Sequence, residues 1–200
     1  MPRQIEFYFD FASPYGYFAA REIEALAARQ DATVAWRPIL LGAVFKVTGS
    51  QANLSAPLRG DYLRHDVARI ARMQGLPLVV PPSAPVKGVA ASRLFYWLDS
   101  RDQAQAKNYA LATLDAHWLR GHDIGLPDEA LAPALSLGVD EAAARTALDD
   151  PAIKDRLRQE TDRAIERGVF GSPFFFVDDQ RLWGWDRLPM LEAWLKSGGW

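Results

Sequence analysis

The sequence predicts an α/β protein in which a small sheet, drawn from both ends of the chain, carries a large all-helical insertion. Three observations point there. Residues 1–40 read β-α-β. The long middle keeps only a helical repeat of apolar residues. Residues 168–200 return to β-prone runs before one last helix.

Residues 3–9, rich in β-branched and aromatic side chains, read as the first strand. Tyr15, Phe18, Ala19, Ile23, Leu26 and Ala27 recur at a three-or-four spacing and predict a helix over 14–29. Thr33 to Arg37 reads as a second strand, ended by Pro38, and the crossover helix makes the pair parallel. Ile39 to Val47 is apolar and suits a short helix or a cleft wall; Thr48 to Asn53 is polar and loop-like. From Leu58 the pattern is helical, with Tyr62, Val67, Ile70, Ala71 and Met73 marking an inward face before Gly75. Leu76 to Val86 holds four prolines and reads as an extended connection. Helices follow over Val89–Leu98 and Ala104–Trp118. Asp128 and Asp140 are expected to cap two more, and Asp150-Pro151 opens one that runs to Arg167 with Gly168 beyond it. Pro173–Val177 and Arg181–Trp183, around the turn Asp178-Asp179-Gln180, read as a hairpin. Asp186 is expected to cap the final helix, with Leu188, Leu191, Trp194 and Leu195 inward.

With the middle helices set aside, the remaining order is that of a thioredoxin-like core. The expected organisation is therefore a discontinuous thioredoxin-like domain, residues 1–40 and 168–200, with a helical insertion domain over 41–167. No internal repeat, low-complexity tract or disordered linker interrupts it.

Composition narrows the function. Of 200 residues, 49% are apolar, enough for a sizeable core, and the net charge of −2 is spread over interspersed acids and bases. That balance gives no surface for nucleic acid. No run reaches membrane-spanning length, and the start shows no signal-peptide pattern, so a cytoplasmic protein is expected. The absence of cysteine excludes disulfides, thiolate metal sites and a dithiol redox cycle carried by the chain. His65, His117 and His122 lack the spacing of a helical metal pair, and no metal is expected; they read as surface or packing residues.

The chemistry gathers at the first strand–helix junction, Phe9-Asp10-Phe11-Ala12-Ser13-Pro14-Tyr15-Gly16. Ser13 is a preferred N-cap residue, and Pro14 at the first helical position needs no donor. The hydroxyl of Ser13 thus falls beside unpaired backbone N–H groups at the positive end of a helix, a place that favours an anion. Taken alone, the pair is an ordinary helix start.

This junction resembles the signature of the 2-hydroxychromene-2-carboxylate isomerases, which are glutathione-dependent members of the kappa-class glutathione transferase and DsbA-like group. The resemblance recurs, in the family's order, at Leu40–Lys46, Pro57–Tyr62, Gly168–Pro173 and Trp183–Leu188. It implies a thioredoxin-like domain with a helical insertion, as the pattern does. It also implies that glutathione is the cofactor and that Ser13, standing where dithiol relatives have a nucleophilic cysteine, donates a hydrogen bond to its sulfur. On the same ground Ser172-Pro173 is expected as a cis pair whose Ser172 backbone meets the cysteinyl part of glutathione, although X-Pro bonds in general favour trans. Asp186 and Arg187 are expected at the γ-glutamyl end, with Asp186 facing its ammonium. Arg59, where relatives often carry lysine, is expected to pair with a carboxylate, and arginine can do so bidentately.

On the substrate side Lys46 is a candidate to bind a carboxylate or polarise a carbonyl. Many relatives have Thr-Gly-Asn where this chain has Thr48-Gly49-Ser50, so either Ser50 or Asn53 takes the place of the family's asparagine. The implied reaction is conversion of an aromatic-derived 2-hydroxychromene-2-carboxylate to the trans arylidenepyruvate. A kappa-like glutathione transferase and a non-catalytic glutathione-binding module are the alternatives. The expected partner is a small molecule, and a homodimer fits the family.

Overall fold

The computed structural model describes residues 2–80 and 87–200. Four strands form one sheet in the order β2-β1-β3-β4: β1 (Arg3–Phe9), β2 (Ala32–Pro38), β3 (Phe174–Val177) and β4 (Gln180–Trp183). β1 and β2 run parallel, with Phe7 opposite Trp36. β3 returns from the other end of the chain and pairs antiparallel to β1, with Phe7 opposite Phe175; β4 pairs antiparallel to β3. The two ends of the sequence therefore meet in one sheet, as the pattern predicts. The hairpin turn is Asp178-Asp179, and Gln180 already belongs to β4.

Helix α1 (Pro14–Arg29) crosses from β1 to β2. The apolar stretch after Pro38 resolves as a helix, α2 (Leu41–Thr48), which ends at Gly49 in the left-handed conformation. The helical middle comprises α3 (Arg59–Met73), α4 (Val89–Asp99), α5 (Gln103–Arg120), α6 (Pro127–Ser136), α7 (Glu141–Asp149) and α8 (Pro151–Glu166). A final helix, α9 (Leu188–Ser197), closes the chain. Residues 81–86 of the proline-rich connection lie outside the described residues.

A chain of aromatic rings joins the sheet to the helices. Phe7 stacks on Phe175 at 5.5 Å and on Phe9 at 5.0 Å, and Phe9 meets Phe11 at 5.2 Å and Phe95 of α4 at 6.3 Å. One apolar core accordingly runs from Ile5 and Phe175 through Phe18 to Leu94, Tyr109 and Trp118.

Four local expectations need correction. Tyr62 and Met73 are largely exposed, and α3 buries Leu63, Val67, Ile70 and Ala71 instead. Trp194 is only half-buried. Asp128 does not cap α6: Pro127 takes the first helical position, Leu126 precedes it, and Asp128 sits in the first turn, where the helix dipole favours an acid. Asp186 does not cap α9, because a short 3-10 turn over Trp185–Arg187 intervenes and moves the helix start to Leu188, with Pro189 next. Asp140 and Asp150, by contrast, accept the capping N–H bonds from Ala143 and Ala152.

Candidate active site

Ser13 sits at the N-cap of α1 in extended backbone geometry and is only 6% exposed. Its Oγ accepts from the N–H of Gly16 at 3.0 Å and donates to the carbonyl of Ser172 at 3.0 Å. The first bond is the helix cap. The second spans 159 positions and joins the cap to the loop before β3, where the Ser172-Pro173 peptide is cis. Ser172 Oγ in turn accepts from the N–H of Asp10 at 3.0 Å. Glycine at 16 suits this crowding: a Cβ there would lie 2.8 Å from Ser172 Oγ and 3.3 Å from Ser13 Oγ.

Behind the turn lies Asp10, 5% exposed, whose carboxylate accepts from the N–H groups of Ala12 and Leu41. Burial pushes its pKa up, and the two N–H bonds work against that shift. Trp118 of α5 donates to the Phe11 carbonyl at 3.1 Å, so the helical part also grips the turn.

A cavity of about 350 Å³ opens beside the turn, lined by Tyr15, Asn53, Leu58, Arg59, Tyr62 and Leu63. Tyr15 donates to Asp66 Oδ2 at 2.7 Å. Its phenol is held well above the usual range, first by burial, then by Asp66, with Tyr62 and Asp186 acting in the same direction. Asp186 therefore lies within electrostatic reach of the cavity wall. It is exposed and pairs with Arg187 at 3.5 Å. Arg59 is exposed at the start of α3 and has no ion-pair partner among the described residues. Glu22 of α1 accepts from Gln74, at the end of α3, and from Trp185, and so links α1 to both segments.

Of the residues singled out from the sequence, Ser13, Ser172 and Pro173 meet directly, and Asn53 and Arg59 line the adjoining cavity. Lys46, in the last turn of α2, and Ser50, beyond Gly49, are exposed and do not line it. Sequence reasoning missed Asp10, Tyr15 and Asp66. Asp10 left a trace, an acid between two phenylalanines; the Tyr15–Asp66 bond joins positions 51 apart and left none. Among the described residues no cluster of His, Asp or Glu is placed to hold a metal ion. His117 is buried, where desolvation lowers its pKa, and its Nδ1 meets the His122 carbonyl at 2.8 Å.

Comparison with known proteins sets this geometry in context. A family model described as a DSBA-like thioredoxin domain matches residues 4–196. The chain is 36% identical over 194 residues to a 2-hydroxychromene-2-carboxylate isomerase of Pseudomonas putida, covering 94% of this chain and 92% of that one. A solved structure of a 2-hydroxychromene-2-carboxylate isomerase superposes with a TM-score of 0.84 at 35% identity, covering 97% of this chain and 95% of the other. Glutathione S-transferase kappa 1 of Rattus norvegicus is 26% identical over 211 residues, covering 100% of this chain and 93% of its own.

Proposed function

Given that the chain belongs to the DsbA-like thioredoxin family, among the 2-hydroxychromene-2-carboxylate isomerases, and is an isomerase, we propose that it works with bound glutathione to convert 2-hydroxychromene-2-carboxylate, or a close analogue, to the trans arylidenepyruvate. The observation that carries this reading is the Ser13 hydroxyl, buried at a helix N-terminus and held 3.0 Å from the Ser172 carbonyl. Without a cysteine the chain brings no thiol of its own to that position.

The residues present suit a thiol-bearing peptide. Turning the Ser13 proton from the Ser172 carbonyl toward a sulfur releases that carbonyl to accept the N–H of a cysteinyl residue, so the exchange leaves no buried acceptor unpaired. Arg59 offers a bidentate partner for a carboxylate at the cavity rim. Asp186 faces the ammonium of the γ-glutamyl end, with Arg187 beside it. Asn53, which lines the cavity, takes the place of the family's asparagine in preference to Ser50. Lys46, exposed in the last turn of α2 and outside the cavity lining, is proposed to meet the substrate carboxylate only as the substrate extends past the cavity.

Energetics decide whether these groups suffice. A free thiol has a pKa near ~8.5, and lowering it by about two units requires roughly 2.7 kcal/mol. A partly buried helix N-terminus contributes up to ~2 kcal/mol and a hydroxyl bond to an anion about 1.5–3 kcal/mol. Together they reach the requirement with no histidine base. When bound, glutathione would supply a thiolate nucleophile for reversible addition to a conjugated double bond. The chain would stabilise the thiolate through a hydrogen bond donated by Ser13 Oγ, the thiol's proton leaving to solvent, and it orients the peptide while Phe11, Trp118 and Tyr15 pack around the Ser13 turn.

The similarity to a kappa transferase favours a second reading, net conjugation of the thiol to an electrophile. A crystal soaked in glutathione tests the site itself. The sulfur is expected within hydrogen-bond reach of Ser13 Oγ; a tripeptide bound elsewhere, with Ser13 still donating to Ser172, would refute the proposal. Counting glutathione before and after turnover separates the two reactions: isomerisation leaves its amount unchanged.

A further inference from the structure

The turn that carries Ser13 is held from behind by Asp10, and the four polar groups of that one residue join three separate segments. One carboxylate oxygen accepts from the Ala12 N–H at 2.9 Å, inside the turn. The other accepts at 2.7 Å from the N–H of Leu41, the first residue of α2 and 31 positions on. The backbone N–H of Asp10 donates to Ser172 Oγ, and its carbonyl accepts from Ser13 N–H at 2.9 Å. We infer that Asp10 is a positioning residue, which locks the Ser13 turn and the start of α2 into one register and so fixes the separation between the thiol site and the helix that carries Lys46.

Other features agree. α2 starts with no side-chain cap of its own, since Leu40 precedes it, so the remote carboxylate serves its first N–H. Gly88 closes the far side: a Cβ there would come within 3.0 Å of Phe11 Cβ and 3.5 Å of Asp10 Oδ1. Among the described residues nothing ionisable faces the carboxylate. Ala12, Leu41, Ser172 and Gly88 carry no titratable side chain, and Lys87, next to Gly88, is exposed. Both oxygens accept N–H bonds, which favour the ionised carboxylate against the burial that raises its pKa.

The inference rests on the reading of Ser13 as the thiol site, and a pair of variants separates the two. Proline suits the first helical position, and Leu40 already has the extended backbone that precedes a proline. Leu41→Pro therefore removes the N–H that Asp10 accepts, and Leu41→Ala removes the same side chain while keeping that N–H. The turnover number of Leu41→Pro is expected about tenfold or more below that of Leu41→Ala, the scale of a charge-assisted hydrogen bond, with the KM for glutathione within about threefold.

Asp10→Asn adds a reading that a merely stabilising residue does not give. Its turnover number is expected to fall while the thiolate absorbance of bound glutathione at a fixed pH rises, because a buried negative charge has left the neighbourhood. Equal turnover by the two Leu41 variants, or a thiolate signal that falls together with turnover in Asp10→Asn, would overturn the inference. Should Asp10→Asn not fold, the Leu41 pair carries the test alone. Wild-type activity without glutathione would instead defeat the proposed function.

Discussion

Gly16→Ala asks whether the Ser13 turn and the Ser172 loop are packed as tightly as the distances state. In an ordinary helix interior the change stabilises by about 0.8–1.0 kcal/mol, because alanine loses less conformational freedom. Here the new Cβ would lie 2.8 Å from Ser172 Oγ, and that oxygen is held in place as the acceptor for Asp10 N–H at 3.0 Å. Moving it leaves a buried donor unpaired, at a cost of about 1–3 kcal/mol. The two effects oppose each other, and the single variant is expected to be destabilised by about 0–2 kcal/mol. In a Ser172→Ala background the obstructing oxygen is already gone. There the same change should recover part of its ordinary gain of about 0.8–1.0 kcal/mol, the rest being opposed by Ser13 Cβ at 3.2 Å from the new Cβ. Denaturant midpoints for the wild type, both single variants and the double variant form a cycle, with an expected coupling of about 1–3 kcal/mol. Equal stabilisation by Gly16→Ala in both backgrounds would refute the packing argument. It would also mean that the Ser172 loop stands farther from the cap than a thiol site allows.

Three further outcomes are expected. Ser13→Ala removes both the cap and the proposed sulfur donor: stability should fall by about 0.5–2 kcal/mol and turnover by about tenfold or more, and loss of the first without the second would assign Ser13 to capping alone. Arg59→Ala should raise the glutathione KM by about tenfold or more with little change in stability, since Arg59 is exposed and has no ion-pair partner among the described residues; an unchanged KM would remove it from the site. Glu6 is held below the usual carboxylate range, first by its hydrogen bond from Arg167 and then by the charges of Arg167 and Arg37 against burial. A depressed carboxylate contributes stability above its unfolded pKa of about 4.3 and loses it as pH falls through the lower folded value; a Glu6→Gln variant, which lacks that titration, should be less stable at neutral pH and show a shallower loss of stability below about pH 4.3 than the wild type. Parallel pH curves for the two proteins would contradict this.

The sequence reveals those parts of the fold whose causes are local. Ser13-Pro14 starts a helix through chemistry confined to adjacent residues, and the cap appears where it is expected. The βαβ start and the closing hairpin follow from period and turn residues, and their meeting in one sheet follows from topology. Asp186 illustrates the limit: an acid before an amphipathic run signals a cap, yet the 3-10 turn over Trp185–Arg187 displaces it, and Arg187 takes the N-cap position. Tyr62 and Met73 fit the helical spacing but fall on the exposed side, because Leu63, Val67 and Ile70 take the buried one. At the site, Asn53 and Arg59 came from the resemblance and line the cavity, whereas the bonds from Tyr15 to Asp66 and from Asp10 to Leu41 depend on how distant segments are brought together. Periodicity carries no record of such pairs.

The central claim, that this chain borrows its nucleophile, is tested most directly by turnover of 2-hydroxychromene-2-carboxylate in protein dialysed free of every thiol. The expected result is no isomerisation until glutathione is added, then many turnovers for each glutathione with none consumed. Full turnover in the thiol-free sample would contradict the account.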